Sequence, residues 1–246
     1  MRRIVVIFLV IFLWVTQGVA KDKIVYLATL NWKPYVGNDL QHKGFTSQIV
    51  IEAFKRAGYT VEIAFKPWAR VLKEVDKGKY DAAYPAYYSD ERAAKYSFSH
   101  PFSKSMLGFY KRKKDKITFK TLHDLKPYKI GVVRGYVNPP DFDKSKYLKK
   151  EKANSDEENI RKLIKRRLDM IVIDKIVAQY IVNNSYPKWQ DELEFMEPAL
   201  EGKHLYVMFS KHAQGFEQKL KDFNAALKEM IQDGTVKKIM LGHGFK

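Results

Sequence analysis

The 246-residue sequence contains no cysteine. Without thiols the protein forms no disulfide and no thiolate metal site, and it has no cysteine nucleophile. A lipid-modified cysteine, the anchor of many exported bacterial proteins, is excluded for the same reason. The six histidines never stand at the spacing of a metal-ligand pair such as HxxxH. We therefore expect neither a metal site nor a cofactor.

Long apolar runs are also scarce, and the longest spans residues 4–15. Arg2 and Arg3 precede it, and the small residues Gly18 and Ala20 follow. This order is typical of a secretory signal peptide, and the run is shorter than the about 20 residues that span a bilayer. We expect residues 1–20 to be removed and the mature protein, from Lys21, to be periplasmic without a lipid anchor. A retained N-terminal anchor is the alternative.

Acidic residues are outnumbered, because 28 aspartates and glutamates stand against 45 lysines and arginines, for a net charge of +17. A cytosolic protein this basic would be expected to bind nucleic acid. The export signal and the even distribution of the lysines argue against that class, so we expect no nucleic-acid partner. A basic surface instead aids solubility and attracts anionic solutes over a distance.

No proline-, glycine- or serine-rich linker divides the rest of the sequence. Short apolar strands alternate with amphipathic helices, which predicts an α/β architecture with parallel sheets. Two units of about 100 residues fit this pattern. Residues 112–116 are predicted to be a solvated connection. The predicted strands are 24–29, 61–65, 81–84, 106–110, 129–133, 170–173 and 205–209, and the predicted helices are 49–57, 69–75, 160–164, 176–181 and 216–231.

Several short motifs occur in order along the chain: NWKPY (31–35), GKYDA (78–82), SDER (89–92), KIGVVRGY (129–136), DMIVID (169–174) and DGT (233–235). Together they resemble the family 3 extracellular solute-binding proteins, the amino-acid receptors of ABC importers, over essentially the whole mature chain. The resemblance implies the type II periplasmic-binding-protein fold, in which two α/β lobes enclose a ligand cleft. Residues 21–110 and 205–246 would form the first lobe, and residues 111–204 the second.

A zwitterionic amino acid needs a cation for its carboxylate and an anion for its ammonium group inside a cleft that loses water. The resemblance makes Arg92 the carboxylate clamp, a role that suits a planar, permanently charged guanidinium. Pairing with Glu91 or Asp90 on a surface helix is the alternative. Asp174 matches the family's ammonium-binding aspartate and follows a strand, at the end where open α/β sheets bind ligands. It is also placed to cap the next helix.

Aromatic side chains are concentrated around the expected cleft. Trp32 and Tyr35 lie on the loop after the first strand, and Tyr84 and Tyr87 stand where the amino-acid receptors usually have small hydroxyl residues. Aromatic walls favour flat, apolar or cationic groups, so we expect an amino acid or derivative that carries such a group; a small peptide, a polyamine-like cation and an organic acid are the alternatives. Packing into the protein core is the alternative for these side chains.

Two further segments are expected at the border of the cleft. Trp68 and Arg70 open the second helix, where they would either line the rim of the cleft or brace the helix. Arg134, Gly135 and Tyr136 form an expected strand-to-helix turn, whose backbone N–H groups are suited to bind an anion.

These features favour a binding protein over an enzyme. We expect a monomer that captures a small solute in the periplasm and delivers it to an ABC permease in the inner membrane. One alternative is an exported enzyme on the same scaffold, similar to a dehydratase, with Asp174 or Lys175 as acid or base. A second is a ligand-sensing module that acts through a separate signalling partner.

Overall fold

A computed structural model describes residues 23–245 of the protein. The expected signal peptide and the mature N-terminus at Lys21 lie outside these residues. The described strands are β1 (Lys23–Thr29), β2 (Tyr59–Phe65), β3 (Ala82–Ala86), β4 (Tyr96–Phe98), β5 (Ser103–Arg112), β6 (Lys129–Val133), β7 (Lys149–Ala153), β8 (Met170–Asp174), β9 (Leu193–Phe195) and β10 (Glu201–Ser210). The α-helices are α1 (Phe45–Arg56), α2 (Trp68–Asp76), α3 (Asp90–Lys95), α4 (Pro140–Lys144), α5 (Asp156–Ile164), α6 (Lys175–Ser185), α7 (Phe216–Gln232) and α8 (Thr235–Gly242). None of these helices has the length and apolar character needed to cross a membrane.

The first group of strands is arranged around β1. This strand runs parallel to β2 on one side and to β3 on the other. β10 pairs with β3 in the antiparallel direction, and β4 pairs with β10. Ile49, Val50, Ala53 and Phe54 give α1 one apolar face at helical spacing. This face is buried where α1 packs against β2 and α7.

The second group is arranged around β6, which runs parallel to β7 and β8. β5 pairs with β8, and β9 pairs with β5, both in the antiparallel direction. Phe109, Leu125, Ile130 and Phe142 are fully buried in a hydrophobic core that belongs to this group alone. Each group therefore has parallel strands at its centre and its own buried apolar residues.

Two long strands connect the groups. Residues 201–205 of β10 pair with β5, whereas residues 206–210 pair with β3 and β4. β5 likewise pairs with β10 along its first half and with β8 along its second half. The strands therefore follow one path, β2-β1-β3-β10-β5-β8-β6-β7, with β4 and β9 beside it. The α/β architecture expected from the sequence is confirmed.

The sequence pattern misses several short or charged elements and also the eight-residue helix α8. β4, β9, α3 and α4 have three to six residues each, too few for a periodic signal. β7 reads KKEKA and has no apolar alternation. Its place at the end of the strand path accounts for its composition, because lysines on an edge strand oppose pairing with another chain.

Residues 113–116 form a largely exposed turn, in agreement with the predicted solvated connection over 112–116, whereas Arg112 departs from the prediction because it is buried. Arg112 ends β5 and is 4% exposed. Its Nη1 donates to the carbonyl oxygens of Leu163 (2.5 Å) and Leu168 (2.7 Å), and its Nη2 pairs with Asp115 at 2.6 Å. The last carbonyl groups of a helix have no helical partner, and Arg112 satisfies one of them at the end of α5.

We expect Arg112→Met to lower the free energy of unfolding by about 3 kcal/mol, because the buried Leu168 carbonyl oxygen and Asp115 lose the Arg112 donor and the Leu163 carbonyl oxygen keeps only backbone donors. Urea unfolding measures this loss. Lys113→Met, at the exposed neighbouring position, is the control and should change the free energy by no more than about 0.5 kcal/mol. Equal losses in the two variants would contradict the structural role of Arg112.

Candidate functional site

The carboxyl ends of β1, β3 and β6 meet at one cavity between the two groups of strands. Trp32 follows β1, Tyr87 follows β3 and Tyr136 follows β6, and all three side chains line the cavity. Open α/β sheets bind their ligands beyond the carboxyl ends of the strands. The other lining residues are Leu30, Trp68, Pro85, Arg92, Val137 and Leu205.

Arg92 supplies a buried positive charge to this cavity. Ser89 begins α3 by accepting a hydrogen bond from the Arg92 backbone N–H, which fixes the position of Arg92 in the first turn. The Arg92 side chain donates from Nη1 to the Tyr87 carbonyl (2.7 Å) and from Nη2 to the Gly135 carbonyl (2.8 Å). Burial lowers the pKa of Arg92 to about 10, so the guanidinium remains charged at neutral pH.

Among residues 23–245, no carboxylate forms an ion pair with Arg92. The alternative pairing with Asp90 or Glu91 is therefore not observed. Instead, the guanidinium lies 5.5 Å from the centre of the Trp68 ring, on which a cation is attracted by the π face. The positive charge is available to a ligand in the cavity.

Gly135 connects the two groups of strands at the cavity. Its carbonyl oxygen accepts from Arg92 and also from the Trp68 Nε1–H at 3.1 Å. Its φ of +82° favours glycine, and a Cβ at this position would come within 3.1 Å of the Leu72 side chain. The turn thus contributes a carbonyl acceptor, where the sequence had predicted N–H donors.

Two expectations about the border of the cleft are corrected. The turn at Arg134 is not followed directly by a helix, since four residues separate it from α4, and Arg134 is exposed. Arg70 does not line the cavity. Its side chain is 66% exposed and pairs with Glu74 at 3.0 Å, one turn along α2. Arg70 therefore braces the helix, whereas Trp68 faces the cavity.

Asp174 caps α6 and does not line the cavity. Its Oδ1 accepts from the backbone N–H groups of Ile176 and Val177, both at 2.9 Å. Its Oδ2 accepts from the Tyr35 hydroxyl (3.2 Å) and the Met106 backbone N–H (3.1 Å). A carboxylate has about four acceptor positions, so these bonds occupy them. Burial raises the pKa of Asp174 to about 6. The structure therefore shows the capping role of Asp174, and binding of a ligand ammonium group by Asp174 stays a prediction.

Three of the expected aromatic residues pack together beside the cavity. The rings of Trp32 and Tyr35 are stacked with centroids 4.5 Å apart, and Tyr87 meets Trp32 edge to face at 5.9 Å. Trp32 and Tyr87 line the cavity, whereas Tyr35 is fully buried behind Trp32. Tyr87 is held in place by a hydrogen bond of 2.7 Å between its hydroxyl and that of Ser105.

Tyr84 is not part of this wall, contrary to the expectation from the sequence. Its side chain is fully buried in the first group, with its hydroxyl 3.0 Å from Ser47 Oγ. All five residues of β3 are buried. Alternation along the strand therefore gives no sign of which side chains point to the cavity.

A buried carboxyl group that the sequence patterns do not reveal is that of Asp156. Asp156 is the first residue of α5 and is 5% exposed. Its Oδ2 accepts from the Tyr136 hydroxyl at 3.1 Å, whereas its Oδ1 has no hydrogen-bond partner among residues 23–245. Asp156 follows β7, and the lysine-rich composition of that strand concealed its presence. An acidic residue at the carboxyl end of a strand was the signal that could have revealed the position.

Burial sets the protonation of Asp156. Burial, with a smaller contribution from the charge of Asp174, raises the pKa of this carboxyl to about 7, although hydrogen bonding by Tyr136 opposes the shift. The Trp32 Nε1–H also favours the ionised form, although it makes no hydrogen bond of standard geometry within the described residues. A perturbed acid in a cavity is a common mark of a functional site.

Sequence comparison identifies relatives over almost the whole described chain. The profile of the bacterial extracellular solute-binding proteins, family 3, matches residues 24–244. The L-cystine-binding protein TcyJ of Escherichia coli (strain K12) is 30% identical over 207 residues, which cover 82% of this chain and 74% of that protein.

Solved structures with the same fold include an ancestral arginine-binding protein bound to arginine. It is 23% identical, with a TM-score of 0.76 over 89% of this chain and 97% of that one. A structure from work on glutathione import via GshT and the cystine ABC importer TcyBC of Streptococcus mutans is 24% identical, with a TM-score of 0.76 over 92% and 96% of the two chains. The type II periplasmic-binding-protein fold expected from the sequence is confirmed.

We expect Asp156→Asn to become more stable relative to the wild type as the pH rises. The carboxyl has a pKa of about 7 in the native protein and about 4 when unfolded. At a pH between these two values, the Asp156 carboxyl is ionised in the unfolded chain but still protonated in the native protein. Rising pH therefore favours unfolding of the wild type but not of the amide variant. The relative gain should be on the order of 3 kcal/mol.

Urea unfolding without ligand at pH 4 and pH 8 measures this gain. Tyr87, Tyr136 and Asp174 are the titratable groups around Asp156, and both proteins contain them, so the difference reports the titration of Asp156 together with its coupling to these groups. If the free energies of unfolding of Asp156→Asn and the wild type differ by the same amount at pH 4 and pH 8, the fold does not shift the pKa of the Asp156 carboxyl.

Proposed function

The chain belongs to family 3 of the bacterial extracellular solute-binding proteins, and we propose that Arg92 binds the carboxylate of an amino acid or amino-acid derivative. The observation that carries this proposal is the buried guanidinium on the cavity wall, which has two carbonyl acceptors and no carboxylate. Arg92 has five N–H donors in a planar fork. A ligand carboxylate fits the donors that remain and supplies the missing negative charge.

A wide neighbouring pocket has room for a ligand longer than a single small amino acid. Trp32, Trp68 and Tyr87 are aromatic walls beside Arg92. The neighbouring pocket shares Trp32 and Trp68 with the cavity and reaches Lys66, Asn154 and Tyr180. L-Cystine, the ligand named for the TcyJ relative, has two amino-acid halves joined by a flexible, apolar disulfide. We take it as the first candidate ligand.

The cellular role follows from the family. We infer that residues 1–20 direct export, that the mature protein is a periplasmic monomer without a lipid anchor, and that it delivers its ligand unchanged to an ABC permease of the inner membrane. Support comes from the signal-like N-terminal sequence, the extracellular family and the absence of cysteine. No catalytic step is needed for this role.

The strand connections support a hinged molecule. We propose that residues 21–110 with 205–246 form one lobe, that residues 111–204 form the other, and that β5 and β10 bend between them. Both strands pair with elements of the two groups, so a change in their twist would move one group relative to the other. The bonds from Arg92 and Trp68 to Gly135 would form as the lobes close.

We expect Arg92→Ala to weaken ligand binding by about a hundredfold or more, because a ligand carboxylate would be buried without its cation. Calorimetric titration with L-cystine, L-arginine and L-glutamate measures the effect. Arg70→Ala is the matched control, since this arginine is exposed on α2 and does not line the cavity. Equal affinities of Arg92→Ala and the wild type would rule out the clamp.

Ligand binding should also make the molecule more compact. A ligand that contacts both lobes stabilises the closed arrangement, so saturation should reduce the radius of gyration in small-angle X-ray scattering. The Arg92→Ala variant at the same ligand concentration, which should remain largely unbound, provides the control. An unchanged profile of the wild type at proven saturation would exclude hinge closure.

A further inference from the structure

We propose that Phe245, which follows α8, is a positioning residue of the ligand site. Its ring supports the ring of Tyr35, and Tyr35 in turn supports Trp32 on the cavity wall. This inference rests on the proposed function, because it names a further residue on which ligand affinity depends. Phe245 lines neither the cavity nor the neighbouring pocket, so it acts only through the side chains between.

The turn after α8 fixes the direction of Phe245. Gly244 has a φ of +80°, a value that favours glycine. The Phe245 N–H donates to the Met240 carbonyl at 2.9 Å, the bond that marks a Schellman ending of a helix. His243 Nε2, in the same turn, donates to Gln48 Oε1 at 2.8 Å. The segment is therefore tied both to α8 and to α1.

Phe245 packs against two aromatic rings that are fully buried. Its ring centroid lies 4.3 Å from that of Phe45 and 5.7 Å from that of Tyr35. Phe45 is the first residue of α1, and its own ring is 5.5 Å from Tyr35. Protein interiors are closely packed, and a deleted ring leaves space that its neighbours fill only in part. Loss of the Phe245 ring would therefore leave Phe45 and Tyr35 free to move.

Tyr35 transmits this support to the cavity. Its ring is stacked on that of Trp32, with 4.5 Å between the centroids and 18° between the planes. The Trp32 Nε1–H makes no hydrogen bond of standard geometry within residues 23–245, so packing is the main restraint on this side chain. Tyr87 meets Trp32 only edge to face and is itself held by Ser105. A displacement of Tyr35 therefore acts mainly on Trp32.

The position of Trp32 affects affinity because a wall that is already ordered costs a ligand less than one that must be ordered on binding. We expect Phe245→Ala to weaken binding of L-cystine, L-arginine or L-glutamate, whichever the wild type binds, by about tenfold in calorimetric titration. Phe245→Leu retains most of the apolar contact with Tyr35, and its affinity should remain within about threefold of the wild type.

Phe119→Ala is the matched control. Phe119 is also partly buried and also contacts a phenylalanine, Phe109, with 5.2 Å between the centroids, but it belongs to the separate core of the second group. This variant should be less stable than the wild type and bind the ligand equally well.

A double-mutant cycle with Trp32→Ala tests the path. In the Trp32→Ala background, Phe245→Ala should change the affinity by less than about twofold, because the ring through which Phe245 acts is gone. A residue that only stabilises the fold would weaken binding by the same factor in both backgrounds. Where Trp32→Ala binds too weakly for titration, the spectroscopic measurement below takes the place of the cycle.

The indole N–H signal of Trp32 gives a readout that needs no ligand. In a proton–nitrogen correlation NMR spectrum of the empty protein, Phe245→Ala should shift this signal by more than its linewidth, because the stacked Tyr35 ring changes position. The signal of Trp189, which lies in the second group, is the internal reference and should not move. Trp32→Phe assigns the signal, and Phe119→Ala should leave it unchanged.

The results distinguish an error in this inference from an error in the proposed function. If the wild type binds one of the three amino acids and Phe245→Ala binds it equally well, the inference is wrong and the proposed function stands. The inference is also wrong if Phe119→Ala loses as much affinity, if the loss persists in the Trp32→Ala background, or if the Trp32 signal is unchanged. If the wild type binds none of the three, the proposed function is overturned, and the Trp32 signal alone decides whether Phe245 positions the cavity wall.

Discussion

The side chain of Arg92 connects the two groups of strands through its hydrogen bond to Gly135, and it does so without an anionic partner in the described chain. Burying a charge costs several kcal/mol unless opposite charge and hydrogen bonds compensate for the lost water. Two carbonyl oxygens and the Trp68 ring compensate in part. Under the proposed function a ligand carboxylate would supply the rest, and Arg92 would then couple closure of the cavity to its occupation. A ligand shifts such an equilibrium only by its differential affinity for the two arrangements.

The unpartnered polar atoms near the cavity support this view. Protein interiors leave few buried polar groups unsatisfied, and those that remain require an explanation. Trp32 Nε1 and Asp156 Oδ1 are two such atoms, and both belong to side chains on the cavity wall. At position 156, an amide or an apolar side chain would give a more stable protein, because it would avoid the cost of burying an acid. The cost is reasonable where a charged ligand completes the interaction.

The sequence predicts the central strands well and the direction of side chains poorly. β1, β6 and β8 have apolar runs at strand length, and the position of Arg92 in the SDER motif leads correctly to the cavity. Tyr84 was misplaced because β3 is buried on both faces, so that its pattern has no polar side.

Partners that are distant in sequence cannot be read from local patterns. Asp174 accepts a hydrogen bond from Tyr35, 139 positions away, and Arg112 donates to Leu163, 51 positions away. Periodicity reports which face of an element is apolar, and it says nothing about which polar group will meet another across the fold. Asp156 was missed for a related reason. The strand before it, KKEKA, has the composition of a solvated segment, although its last residue, Ala153, and Asp156 are both buried.

The two buried aspartates, Asp174 and Asp156, ionise to different extents because their surroundings differ. Asp174 is ionised more readily, since two N–H groups at the start of α6 and two further donors stabilise its negative charge. That charge in turn opposes ionisation of Asp156, whose own hydrogen bonding is incomplete. Near neutral pH the Asp156 carboxyl is therefore partly protonated in the empty protein.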